Sequence, residues 1–233
     1  MFARSVTASA FGTQCYVVAA GPGEEALIVD PGFGVADQVR EVLAAEGLRP
    51  AAILLTHGHY DHIASVTPLC SPGMAVHIHP DDRYRLANPK TSLGPGMAEM
   101  LERQFGVDHV WQEPTDVVDL ASAGQLEIAG LQIGLLAAPG HTEGSVMFSV
   151  EGVPVGIPDV LDQTVFSGDV LFAGSIGRTD LPGGDGAAMQ QSLRDVVLPL
   201  SDSALVLPGH GPATTIGRER STNPYLTQLD SPL

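Results

Sequence analysis

Short apolar runs closed by glycine or proline turns recur along this chain, and they leave room for few helices. Phe2–Thr7, Cys15–Ala20 and Ala26–Asp30 read as strands, with Gly21-Pro22-Gly23 as a turn signal between the last two. Ala51–Leu55 is an unbroken apolar run that reads as a buried strand, and Met74–His79 is a further candidate. The pattern returns at Leu126–Ala129, Leu131–Ala137, Ser145–Val150, Thr164–Phe166 and Ala204–Leu207. Helical spacing is clear over Val35–Glu46, where Val35, Val39, Val42 and Leu43 share a face and Gly47 stops the run, and over Ala187–Val197. A short helix is expected at Asp81–Leu86 and another at Met97–Phe105, inside the weakly patterned stretch 88–113 that reads as a lid. So few helices do not make the βαβ alternation of a doubly wound sheet. Two packed sheets with helices on their outer faces fit the order better, an α+β arrangement.

Composition narrows the function classes. With 27 acidic against 11 basic residues the net charge is −16, which repels a nucleic-acid backbone at long range. No apolar run approaches the ~20 residues of a membrane helix. Cys15 and Cys70 cannot build a disulfide framework, and no apolar signal-peptide core follows Met1-Phe2-Ala3-Arg4, so a soluble cytoplasmic protein is expected. The 233 residues suit one domain or two small ones, and no linker or repeat divides them.

The histidines carry the chemistry. His57, His59, Asp61 and His62 follow directly on the buried strand Ala51–Leu55. In extended backbone, side chains at i and i+2 point the same way, so His57 and His59 can share one metal. Asp61 and His62 are adjacent and converge only where the chain turns, for example into a helix beginning near His62, which makes a second subsite. Three more candidates sit in glycine-containing loops just past apolar strands: His141 after Ala138-Pro139-Gly140, Asp169 after Ser167-Gly168, and His210 after Pro208-Gly209. Glycine permits the close backbone approach that such loops need. His77, His79 and His109 read as bystanders, and neither cysteine lies in a ligand context.

His57-Gly58-His59-Tyr60-Asp61-His62 resembles the HxHxDH signature of the metallo-β-lactamase superfamily, and His141, Asp169 and His210 fall at its remaining ligand positions in order. Gly140–Ser145, Ser167–Phe172 and Gly174–Asp185 are similar to the short glyoxalase-II-like (hydroxyacylglutathione hydrolase-like) hydrolases, and the likeness runs on to Gly217–Arg220 and Asn223–Leu226. The resemblance implies an αββα sandwich over residues 1–233. It implies one metal on His57, His59 and His141, another on Asp61, His62 and His210, and Asp169 between them. Two divalent ions, zinc first with iron or manganese open, would leave the site electropositive inside an acidic protein.

The activity so implied is hydrolysis of a small-molecule thioester, an S-2-hydroxyacyl thiol, by a metal-bridging hydroxide that Asp61 orients as well as ligates. Asp169 stands where a lactamase of the best-known type is expected to carry Cys. Arg178, Arg218 and Tyr225 are candidate substrate contacts, Arg178 and Asp180 also reading as a loop-bracing ion pair and Arg218 with Arg220 as a solvated helix face. Thr142 and Ser145 are expected to brace the His141 loop. The chain runs only a short way past His210, so the C-terminal helical domain that holds glutathione in full-length glyoxalase II is expected to be absent; Lys90 is its only lysine. The same ligands leave open a mononuclear iron persulfide dioxygenase on His57, His141 and Asp169, a lactonase, and a non-catalytic metal-binding module.

Overall fold

Alternate residues along the strands point into two different cores, and this parity builds the layers. The computed structural model describes residues 1–93, 96–105, 110–157 and 160–229. The first sheet takes its strands in chain order: β1 (Phe2–Thr7), β2 (Gln14–Ala19), β3 (Glu25–Val29), β4 (Arg49–Leu54), β5 (Ala75–Ile78) and β6 (Val117–Asp119). Pairing is antiparallel from β1 to β3 and parallel from β3 to β6. The second sheet contains β7 (Ala123–Ile128), β8 (Leu131–Ala137), β9 (Val146–Glu151), β10 (Gln163–Gly168), β13 (Ala204–Pro208) and β14 (Thr214–Thr215). Its order is β14-β13-β10-β9-β8-β7, with only β10 and β13 parallel. A ribbon of β11 (Leu171–Phe172) and β12 (Ser175–Ile176) lies beside it. The helices are α1 (Ala36–Ala45), α2 (Tyr60–Ile63), α3 (Val66–Leu69), α4 (Tyr84–Ala87), α5 (Met97–Phe105), α6 (Gly186–Ser192), α7 (Ile216–Thr222) and α8 (Pro224–Thr227).

In β2, Tyr16 and Val18 face inward while Cys15 and Val17 face outward. The inward set joins Leu27, Val29 and Leu54 to Ile133, Phe148, Val150 and Phe166 of the second sheet. Tyr16 and Phe166 meet edge to face at 5.2 Å, a favoured aromatic geometry. On one outer face Val17, Ile28 and Ile53 pack against Val39 and Leu43 of α1. On the other, Met147, Val165 and Val206 pack against Met189 of α6 and Leu193 in the π-helical turn that continues it. The result is two mixed sheets face to face with helices outside. Among the described residues no helix is long and apolar enough to cross a membrane.

Hydrogen bonds join the two sheets along one rim. The Val146 amide donates to the Thr56 carbonyl at 2.8 Å, the Gln14 amide to the Gly209 carbonyl at 2.7 Å, and the Tyr16 hydroxyl to the Pro208 carbonyl at 2.8 Å. The loops after β4, β8, β10 and β13 therefore open onto one place.

The strands follow the sequence reading within a few residues, while β6, β14 and the β11–β12 ribbon are too short to carry a period. Asp81–Leu86 divides into a 3-10 turn at Pro80–Asp82 and α4. Helix α5 occupies Met97–Phe105 as expected. Residues 94–95 and 106–109 of the stretch read as a lid, His109 among them, lie outside the described residues.

Phe148 is 1% exposed between the sheets. Replacing it with Ala removes a ring and leaves a cavity, so unfolding free energy should fall by ~3–5 kcal/mol in urea denaturation.

Candidate metal centre

The chain turns where the sequence requires it. His59 is extended at φ −68°, ψ 144° and caps α2, which begins at Tyr60 and swings Asp61 and His62 back toward the strand end. His57 and His59 lie with ring centroids 4.8 Å apart, and His141 sits 4.8 Å from His57 and 4.6 Å from His59. His59 Nδ1 and His141 Nε2 face each other at 2.8 Å. His62 Nε2 faces His210 Nε2 at 3.2 Å, with Asp61 Oδ2 3.3 Å from the same His210 nitrogen. Asp169 reaches both groups: its Oδ2 is 3.5 Å from His141 Nε2 and 3.4 Å from His210 Nε2, and its Oδ1 is 3.3 Å from His62 Nε2. The seven residues singled out by spacing thus meet at one place.

Hydrogen-bond acceptors around the rings assign the tautomers. His141 Nδ1 donates to the Arg178 carbonyl at 2.8 Å, and His210 Nδ1 to the Phe11 carbonyl at 3.1 Å. His62 Nδ1 donates to Asp30 Oδ2 at 3.0 Å. The Thr56 hydroxyl donates to the same Asp30 oxygen at 2.6 Å and can accept from His57 Nδ1 at 3.1 Å. In the neutral form of these four rings the outer nitrogen carries the proton, so each Nε2 then turns a lone pair inward. His57 Nε2 and Asp169 Oδ1 are buried with no hydrogen-bond partner, as is His59 Nε2. Unpaired polar atoms are costly to bury. For His57 Nε2 and Asp169 Oδ1, facing the cluster, a cation is the partner that their chemistry fits.

His57, His59 and His141 form one group able to hold a metal, and Asp61, His62 and His210 a second, with ligand atoms within 4.8 Å of one another in each. Asp30, His57 and His62 bring their ligand atoms equally close. Asp30 is better read as a positioning carboxylate, because Oδ1 accepts from the Thr56 amide at 2.8 Å and Oδ2 is taken by Thr56 and His62. Its backbone is left-handed at φ 49°, a strained conformation that these bonds hold in place.

Electrostatics divides the rings. Burial and the neighbouring imidazoles push His57 well below the usual histidine range and His59 down to about 3. Burial also opposes charge on His62 and His210, but there Asp169 and Asp61 win, holding His62 well above the usual range and raising His210 to about 9. The same imidazoles overcome burial to keep Asp61 low and Asp169 lower still.

A second carboxylate braces the loops from behind. Asp82, fully buried, accepts from the Gly58 amide at 2.7 Å and the Thr142 hydroxyl at 2.9 Å through Oδ2, and from the Gly144 amide at 3.0 Å through Oδ1. Burial lifts its carboxyl above the usual range although Arg85 and these donors pull the other way. Arg85, buried beside it, donates to Asp82 Oδ1 at 2.7 Å and to the Pro182 carbonyl at 3.0 Å, and pairs with Glu143 at 2.8 Å. This pair binds the His57–His59 loop to the His141 loop. Ser145 contributes too: its Oγ accepts from the Thr142 amide at 3.1 Å and lies 2.8 Å from the Thr142 hydroxyl.

Two glycines make the approach possible. A Cβ on Gly209 would come within 2.3 Å of Asp169 Oδ1 and 2.7 Å of a His62 ring carbon, and one on Gly177 within 1.8 Å of the Asp169 carbonyl oxygen. Either would displace the cluster.

Arg178 is bidentate to Asp180, both bonds at 2.7 Å, and lines the pocket over the cluster. Arg218 on α7 and Tyr225 on α8 are exposed and do not line it. His77 is buried, with neither nitrogen partnered and no place in a metal-capable group among the described residues, and burial pushes it toward its neutral form.

The metallo-beta-lactamase superfamily model matches residues 8–210. An uncharacterised protein of Mycobacterium tuberculosis (strain H37Rv) is 42% identical over 98% of this chain and 99% of its own. The hydroxyacylglutathione hydrolase GloC of Haemophilus influenzae is 33% identical over 87% of this chain and 88% of its own. Among solved structures, BLEG-1, a B3 metallo-beta-lactamase, superposes with a TM-score of 0.75 at 34% identity, covering 97% of this chain and 100% of its own. TTHA1623 in a di-iron-bound form gives 0.73 at 34% identity, covering 96% and 100%.

Removing Asp82 as Asp82→Ala takes from the buried Arg85 guanidinium its buried carboxylate and leaves it only the exposed Glu143, so the loss should approach but not exceed the ~3–5 kcal/mol of a broken buried pair. The denaturation midpoint should drop, and elemental analysis should show less metal, because Gly58 and Thr142 lose the acceptor that sets their loops. Metal uptake should also release protons. His210, raised to about 9, and His62, held well above the usual range, favour the charged form at neutral pH, and a metal takes only the neutral ring, so binding there displaces protons. Calorimetry of metal binding to the metal-free protein, in buffers of different ionisation enthalpy, should show this release at pH 7 and a smaller one by about pH 10, where His210 is already neutral.

Proposed function

This chain belongs to the metallo-beta-lactamase superfamily, and we propose that within it the protein hydrolyses thioesters, of the S-2-hydroxyacyl class, with two divalent cations, most simply zinc. The observation that carries the reading is the inward turn of imidazole nitrogens whose outer nitrogens are tied to protein acceptors. His57, His59 and His141 would hold one cation and Asp61, His62 and His210 the other, with Asp169 shared. When bound, such ions bring the pKa of water down to ~7 and polarise a carbonyl oxygen.

The residues divide the remaining work. Asp61, fixed by the Thr13 hydroxyl at 3.2 Å and exposed to the pocket, orients the attacking water as it ligates. Asp30 and Asp82 hold the rings in register. Among the described residues lining the pocket, those outside the ligand set include no carboxylic acid, histidine, cysteine or lysine to protonate a leaving group. A thiolate, with a parent pKa of ~8.5, leaves without that help, whereas an amine or alkoxide needs it. This favours a thioester over a lactam or lactone. The second, complete group on Asp61, His62 and His210 favours two metals over the three-ligand mononuclear iron reading. The likeness to the GloC hydrolase supports the same class.

Purified protein should contain close to two metal ions per chain by elemental analysis and cleave an S-2-hydroxyacyl thioester in preference to a lactone, a β-lactam or a persulfide. His59→Ala and Asp169→Ala should lose metal and hydrolysis together. Full turnover in either variant, or one iron per chain with oxygen uptake, would sink the proposal.

A further inference from the structure

The pocket over the ligand cluster encloses about 580 Å³. Its floor is ligand side chains: His59, Asp61, His141, Asp169 and His210. Its walls are Phe11, Leu93, Met97, Phe172, Ile176 and Leu181, with Ser175 and Arg178 as the polar exceptions. Phe11 is 55% exposed and Met97 41% exposed, so large apolar side chains stand open to solvent around this mouth. Such exposure is the mark of an apolar ligand's path rather than of packing. Phe11 is moreover held at φ 58°, a left-handed backbone rare for an aromatic residue, with its carbonyl fixed by His210. Strain of this kind at a binding surface points to a functional position.

Charge tells the same story. Among the described lining residues Arg178 is the only arginine or lysine, and both Nε and Nη2 are engaged by Asp180. The pair contributes no net charge at the mouth. A thioester of glutathione brings two carboxylates and one ammonium, and its carbonyl can reach the floor only if that arm lies along the apolar walls. Carboxylates placed along those walls lose hydration without gaining a free side-chain cation among the described lining residues, and the −16 of the whole chain opposes their approach at long range.

Resting on the thioesterase reading above, we infer that the enzyme selects thioesters whose thiol arm is apolar and uncharged, and that Phe11, Met97 and Leu93 form the surface that selects it. A small hydroxyacyl group sits at the floor, and the longer thiol arm fills the walls.

The test uses the metal-loaded enzyme and two thioesters sharing one acyl group, S-lactoyl-N-acetylcysteamine and S-lactoylglutathione. The neutral thioester should show kcat/KM at least ~10-fold higher, a difference of ~1.4 kcal/mol. Met97→Arg supplies the missing cation and should shrink that ratio by raising the glutathione arm. Binding of the non-hydrolysable thioethers S-propyl-N-acetylcysteamine and S-propylglutathione, followed by calorimetry, provides a readout independent of turnover and should show the same order. Equal or better use of the glutathione thioester, with equal or tighter binding of its thioether, overturns the inference and leaves the thioesterase reading standing. Hydrolysis of neither thioester overturns the thioesterase reading, and with it the inference that the arm selected belongs to a thioester.

Discussion

Burying a cluster of nitrogen and oxygen lone pairs that face one another is the constraint on which this structure depends. Imidazole nitrogens at 2.8 Å and 3.2 Å, with Asp169 between the pairs, are tolerable only if a positive charge lies among them. Protons supply it in part, which is why His62 and His210 are pushed up while His57 and His59 are pushed down. Divalent cations would supply it to all the rings at once. Nothing local in the loops would hold such a cluster; the rest of the fold does.

That support comes as two buried carboxylates, neither of which the metal assignment uses. Asp30 is tied to the end of β4, where it receives the Thr56 amide and hydroxyl as well as His62, and its strained backbone shows that the bonds outweigh the local preference. Asp82 ties loops that are remote in the chain, since Gly58 and Thr142 meet on one of its oxygens. Outer-shell groups of this kind set tautomer and ring direction, the properties on which a metal discriminates. The sandwich itself contributes the rim, where β2 bonds across to Gly209 and Val146 bonds to Thr56.

How much of this is legible in the chain depends on whether the signal is local. Strands β2, β8 and β9 are legible as apolar runs closed by turn residues and appear within a few residues of the sequence reading, whereas which face of β2 and β9 turns inward is decided by sheet packing. The candidate ligands are legible because His and Asp of the right spacing follow strand ends. Asp30 is not, since it reads as the last residue of the strand Ala26–Asp30 before the Pro31-Gly32 turn. Asp82 is hidden in the same way, as one of two acids opening a helical turn, and Arg85 looks like a solvated cation until the fold buries it. Strands β6 and β14 have too few residues to show a period and exist because a neighbouring strand offers an edge. Arg218 and Tyr225 suit anion recognition by residue type, yet α7 and α8 put them away from the pocket, a placement only tertiary packing decides.

The separation of charge from the mouth completes the picture. The chain is strongly acidic, and the cluster is where carboxylates and cations belong together, but the walls above it are phenylalanine, leucine, isoleucine and methionine. An apolar rim over a polar floor sheds water once an apolar group fills it, which would strengthen the electrostatic contacts beneath. It also means that the chemistry and the choice of substrate rest on different residues. The floor comes from strand ends braced by Asp30 and Asp82, which tolerate little change. The walls come from the Phe11 turn, the β11–β12 ribbon and the segment carrying Leu93 and Met97, surface elements that can vary without touching a ligand. One scaffold can therefore keep its cluster of candidate ligands while the substrate it would accept is set by side chains outside that cluster.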